Sequence, residues 1–292
     1  MFLFARRSAV LNQLQKSQPL DAIFEKSSEM LVLTENMEDK LLSKAVRIPI
    51  LLSQVNSLLA GEKSLVDYNA VSKFIRLAEN LDDELTLWAT RLPSEWSYTA
   101  VINIKSFSNF EKAHSIYYPN QIHRYPNLYA ARLWNFYRVY RIIIQSILCR
   151  LSSVYSVEYK QDEQSQIQSR ISCDLASDIC ASVPFLLGYD LSNLAGMQSV
   201  KYPWVQPSEE SYLWPQNFLQ IPTSGLSKGK FSLIWPLHVA SSAKFLPEVQ
   251  RKWMRAQLQW MAHIGEAHAR LILYAESQIL YGGTESFRFD CV

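Results

Sequence analysis

The sequence predicts an all-α fold, a single irregular bundle of about 8–10 helices with one small β-hairpin near residues 97–125. Three observations carry that expectation. Glycine supplies only 8 of 292 residues, well under the usual ~7%, whereas β-sandwiches and dinucleotide-binding α/β proteins use it freely at turns. Apolar residues recur at steps of three and four along several stretches, the period of a helix face. One further stretch, from about Asn127 to Val154, is apolar on almost every side, as expected of a helix at the centre of a core.

The elements follow in chain order. Residues 3–16 and 20–34 read as two short N-terminal helices, and 1–36 as a loosely attached part of one domain spanning 1–292. From Met37 to Leu59 the helical spacing holds, but Pro49 must kink or split the helix, and Gly61 stands where a stop is expected. Leu65 to Leu92 is the clearest amphipathic helix. Phe74, Leu77, Leu81, Leu85, Trp88 and Leu92 form one stripe, Lys73, Arg76, Glu79, Asp82 and Asp83 fall largely outside it, and Pro93 ends it. Residues 93–126 look irregular, although 97–104 and 115–125 are rich in β-branched and aromatic residues and suit a hairpin. The central helix comes next, and its Arg132, Arg138 and Arg141 need partners or an exit to water. Ser165 to Leu187 is amphipathic, with Pro184 positioned to kink its last turn and Gly188 to cap it. Residues 188–228 are irregular and carry Pro203, Pro207, Pro215 and Pro222. Helical patterns resume at Phe231–Phe245, Pro247–Ile264 and Glu266–Tyr281.

Composition excludes several classes. Lys and Arg total 29 against 27 Asp and Glu, a net charge of +2, too balanced for the basic stripe of a nucleic-acid-binding domain. No apolar run approaches the ~20 residues of a membrane span. The charges of Arg6 and Arg7 follow the apolar start, the reverse of a signal peptide, so the sequence reads as soluble and intracellular. The four cysteines, Cys149, Cys173, Cys180 and Cys291, include no Cys-x-x-Cys, and read as small buried apolar residues.

No constellation announces chemistry. Asp82-Asp83-Glu84 distantly suits the magnesium–diphosphate site of an all-α terpenoid-type enzyme, but Thr86 and Leu87 stand where a further carboxylate is needed. A solvated acidic face is the simpler reading. His263 and His268 are five apart, not the four that aligns two nitrogens for zinc, so they read as cap or surface residues. His114, His123 and His238 form no cluster in sequence. Phosphate-binding loops and nucleophile elbows are lacking, and the expectation is a non-enzyme without a cofactor. Eight Trp and fifteen Tyr fit packing between helices. They also fit a pocket for a small apolar effector, for which Trp134, Tyr137, Arg138, Arg141, Trp235 and His238 are the candidate lining.

Four stretches carry a family resemblance when taken in register. They are Leu85-Thr86-Leu87-Trp88 with Leu92-Pro93-Ser94-Glu95-Trp96; Asn127 to Ile142, including Trp134-Asn135 and Arg138; Asp178 to Gly188, including Cys180 and Pro184; and Leu233-Ile234-Trp235-Pro236-Leu237, followed by Trp253, Leu258 and Ile264-Gly265. Together, over roughly 40–278, they resemble the regulatory region of fungal transcription factors of the binuclear zinc-cluster family. The resemblance implies an all-α regulatory domain in the nucleus that modulates transcription by RNA polymerase II. It implies protein partners, as a homo- or heterodimer or in the transcription machinery, and in some members a small effector such as a sterol. That family holds two zinc ions on six cysteines in its DNA-binding domain. This chain has no such array, so zinc and direct nucleic-acid contact are expected only in a domain missing from it. The alternative is a stand-alone interaction protein that pairs with a full-length relative and titrates it.

Overall fold

A computed structural model describes residues 36–60, 67–103, 121–155, 161–188 and 228–274, together with Val10, Gln13 and Leu14. Within them the fold is predominantly α, with one two-stranded antiparallel sheet. The expected helix over 20–34, the irregular segment 189–227, the end of the last helix beyond Tyr274, His114 and Cys291 lie outside the described residues. Of the expected helix over 3–16, Val10, Gln13 and Leu14 are helical, and Val10 and Leu14 are buried. The chain divides into two compact units, residues 1–92, 139–172 and 276–292 in one and 93–138 and 173–275 in the other.

The first unit opens with α1 (Met37–Ala45) and α2 (Arg47–Leu59). Asn36 caps α1 in a reciprocal box: its side chain accepts from the Asp39 N–H at 2.9 Å, and Asp39 accepts from the Asn36 N–H at 3.3 Å. This satisfies two backbone donors that the first turn leaves without partners. Pro49 does split the 37–59 segment, but the break falls at Val46, three residues earlier. Proline is thereby placed in the first turn of α2, where its missing N–H has no partner to lose. Next comes α3 (Tyr68–Thr90), capped by the Asp67 side chain on the Asn69 and Ala70 N–H groups at 2.9 and 3.2 Å. These three helices pack on one another, and the Trp88 indole donates to the Met37 carbonyl at 3.1 Å.

The face that α3 buries is rotated from the expected stripe. Val71, Ala78, Leu81, Asp82, Leu85 and Trp88 are buried, whereas Leu77 is exposed and Phe74 and Leu92 are half-buried. The first unit is completed by the second half of α4 (Leu128–Ser152) and the first part of α5 (Gln161–Leu187). Ile142, Ile143, Ile144, Ile147 and Leu151 of α4 are all fully buried, while Trp134, Arg141 and Cys149 keep partial exposure, so this helix is buried over most of its circumference.

The second unit holds β1 (Thr99–Asn103) and β2 (Gln121–Arg124), which pair with a one-residue irregularity between Ala100 and Ile102. The start of α4 follows, capped by Asn127, whose side chain accepts from the Ala130 N–H at 2.8 Å. The end of α5 also lies here. The helix continues through Pro184 and stops at Gly188, whose φ of +85° suits glycine. A short 3-10 turn, Lys228–Lys230, leads into α6 (Phe231–Ser242). A Cβ on Gly229 would stand 2.4 Å from the Leu186 carbonyl oxygen, so only glycine fits there.

The remaining helices are α7 (Glu248–His263) and α8 (Ala267–Tyr274). They pack on α6 and on each other. Gly265, at φ +100°, ends α7: its N–H bonds the Ala262 carbonyl and the Glu266 N–H reaches back to that of Met261. This double closure ties off carbonyls that the helix end would otherwise leave bare. Arg255 of α7 donates to the Ser241 carbonyl in the last turn of α6 at 3.2 Å, and Lys230 pairs with Glu266.

Among the described residues Trp253 is the largest side chain with no exposure at all. Trp253→Ala should cost ~3–5 kcal/mol in urea unfolding, a transfer and cavity cost. Leu271→Ala, at a side chain 68% exposed, should stay within ~0.5 kcal/mol.

Candidate functional site

The most elaborate polar arrangement in the described residues lies where the hairpin meets α4 and α5, within the second unit. It is built around Arg138. An arginine at this point of an apolar helix has no route to water, and its residue is fully buried. Its Nη1 donates to the Tyr125 hydroxyl at 2.7 Å and to Asn135 Oδ1 at 2.9 Å. Its Nε lies 3.5 Å from the Asp178 carboxylate. Three rings surround the guanidinium, with centroids 4.9 Å away for Tyr98, 5.7 Å for Trp134 and 5.9 Å for Tyr125. Such faces attract a cation most where water is excluded.

Asp178 is the hub on the other side. Its carboxylate accepts from the Tyr98 hydroxyl at 3.2 Å and from Gln121 Nε2 at 3.1 Å. One turn on, Ser182 accepts from Asn135 Nδ2 at 2.8 Å and donates to the Ile179 carbonyl. His123 sits between the two groups. Its Nδ1 is 3.2 Å from the Tyr125 hydroxyl, its Nε2 is 3.8 Å from Asp178, and the imidazole is fully buried. The Tyr98 ring stacks on it with centroids 4.2 Å apart. Burial, reinforced by the neighbouring Arg138 charge, pushes His123 down to about 3, so it is neutral. Burial also raises both tyrosine hydroxyls, outweighing the lowering effect of Arg138, which keeps them protonated donors.

The six residues expected to line an effector pocket divide among several environments. Trp134, Tyr137 and Arg138 lie together on α4, with the Trp134 and Tyr137 rings 5.6 Å apart. Trp134 is half-buried, and its indole donates to the Trp96 carbonyl at 2.8 Å. Trp235 and His238 are buried on α6 with rings 6.1 Å apart. Burial, then the Arg255 charge, holds His238 down at about 4. Arg141 belongs to the first unit. There its Nε and Nη2 grip both carboxylate oxygens of Asp82 at 2.7 and 2.6 Å. This corrects the reading of Asp82 as part of a solvated acidic face: the Asp82 side chain is only 12% exposed, while Asp83 does face solvent.

The other candidates are simpler. His263 and His268 are exposed on either side of Gly265. Cys180 is buried, which raises its thiol pKa and makes it unreactive. Among the described residues no group of three or more His, Cys, Asp or Glu is placed to hold a metal ion, and no helix is long and apolar enough to cross a membrane. A shallow hollow on α3 is lined by Asn69, Ser72, Lys73, Arg76 and Leu77.

Sequence reasoning gave a site role to Arg138 but none to Tyr98, Gln121, His123 or Tyr125, nor to Asn135, Asp178 and Ser182, which it met only within the stretches that carry the family resemblance. A signal was present. Asn135 and Arg138, three apart, are polar residues one turn apart in an apolar helix, and Asp178 and Ser182 are likewise one turn apart.

Comparison with known proteins gives one distant similarity. The chain is 26% identical over 197 residues to the transcription factor dbaG of Emericella nidulans, covering 67% of this chain and 42% of that protein. The chain thus spans under half of its relative's length. No family model matches the chain, and no solved structure matches it.

Two predictions follow from these charges. Asp82→Ala should destabilise by ~3 kcal/mol or more in urea unfolding, since it removes the carboxylate that Nε and Nη2 of Arg141 grip, and the double change Asp82→Leu, Arg141→Met should recover most of that loss. His123 and His238 are neutral when folded but have ordinary pKa values near 6.5 when unfolded. Below pH ~6.5 the unfolded chain therefore binds more protons, and stability falls. It should be complete above pH 7 and decline by up to ~1.4 kcal/mol per unit for each histidine as acid is added, read from urea midpoints between pH 7.5 and 5.

Proposed function

We propose that this chain is the regulatory module of a fungal zinc-cluster-type transcription regulator, acting in the nucleus by binding rather than by catalysis. The observation that carries this reading is the 26% identity over 197 residues to a fungal transcription factor. The helical architecture supports it, since the family resemblance of the four sequence stretches implies an all-α regulatory domain. In this reading the chain modulates RNA polymerase II transcription through protein contacts.

A small apolar effector is the second part of the proposal. We assign it to the aromatic faces of α4 and α6, with Trp134, Tyr137 and Arg138 on one and Trp235 and His238 on the other. Arg141 is left out because its guanidinium is committed to Asp82.

The test joins the full chain to a heterologous DNA-binding domain and reads a reporter in a fungal host. Output should differ from that of the DNA-binding domain alone, and should change when sterols or similar apolar compounds are supplied. Trp134→Ala should weaken the effector response while leaving expression intact. A fusion indistinguishable from the bare DNA-binding domain under every condition would overturn the reading.

A further inference from the structure

A two-stranded hairpin is marginal by itself in water, so β1 and β2 depend on what they dock against. Among the described side chains that docking is largely polar and aromatic. Among the described side chains of residues 96–100 and 121–125, Ile122 is the one buried aliphatic. Much of the described polar attachment meets at one carboxylate, Asp178, which accepts from Tyr98 and Gln121 of the hairpin side and faces His123 and Arg138, while the Trp96 carbonyl and the Tyr125 hydroxyl accept from Trp134 and Arg138 of α4. The Asp178 side chain is 26% exposed, so water reaches the linchpin.

Closure also carries a cost. His123 Nε2 and Arg138 Nη2 are buried in the docked state without a hydrogen bond, and an unsatisfied buried polar atom is worth more in water than inside.

We propose that β1 and β2 lift from α4 and α5 as one unit while the helices stay folded, and that acid favours the lifted state. The groups facing His123 are Tyr98 and Tyr125 from the hairpin side, Arg138 from α4 and Asp178 from α5. When docked, the imidazole is dry and next to a fixed cation, so it excludes a proton. Lifting returns it to water, where it binds one below pH ~6.5. Each opening in acid therefore takes up a proton at His123, and the open population grows ~tenfold per pH unit. The lift uncovers Arg138 and the Trp134 ring, which makes the hairpin a strap over the aromatic face of α4.

Hydrogen exchange by mass spectrometry on the full chain tests this between pH 7.5 and 5, with rates corrected for the intrinsic effect of pH. Peptides over 99–103 and 121–124 should be less protected than α4, α5 and α7. Their protection should be flat above pH ~6.5 and fall ~tenfold per unit below it. Asp178→Asn should lower hairpin protection about tenfold at pH 7.5 and leave α7 unchanged. His123→Gln should remove the pH slope from the hairpin. Hairpin amides that exchange only together with α4 and α5 in the wild type would overturn the proposal. So would an unaltered slope in His123→Gln, or unaltered hairpin protection in Asp178→Asn. Should His123→Gln fail to fold, the wild-type profile and Asp178→Asn decide it.

Discussion

A largely buried helix that nonetheless carries arginines sets the terms for the rest of this structure. In the α4 helix Arg138 is fully buried and Arg132 and Arg141 are only partly exposed, so each is met where it stands. Arg138 is met by a carboxylate, a phenol and three ring faces. Arg141 is met by both oxygens of Asp82. Arg132 lies over the Tyr129 ring at 4.9 Å and near that of Phe136 at 6.0 Å. A buried charge left alone is prohibitively costly, so these contacts dictate where α3, α5 and the hairpin can present their polar groups.

The helices were legible because burial imposes a period on the sequence. The stripe predicted for α3 is nevertheless a fraction of a turn out of phase with the face it buries. Periodicity arguments assign every aspartate to the outside, and Asp82 is inside only because Arg141, 59 residues later, neutralises it. In the same way Pro49 announced a break, but the break position follows from proline's preference for a first turn rather than from the residue itself. The paired strands were visible in their β-branched and aromatic content, while the irregularity on β1 was not.

The Arg138 site was the least legible part. Its bonds join residues 80, 57 and 47 positions apart, and nothing local marks Tyr98 and Asp178 as partners. What could be read was a debt: arginines in an apolar helix require acceptors. The identity of those acceptors is a property of the tertiary structure.

The two arginine–aspartate pairs also constrain how this sequence can drift. Losing Asp82 or Arg141 singly takes from a mostly buried charge the opposite charge that grips it, and losing Asp178 removes the carboxylate beside the fully buried Arg138. Replacing both partners by apolar residues costs far less. Each pair therefore behaves as one inherited character rather than two. Across distant relatives the expectation is joint retention or joint loss, with hybrids rare, even where the intervening helices have changed almost everything else.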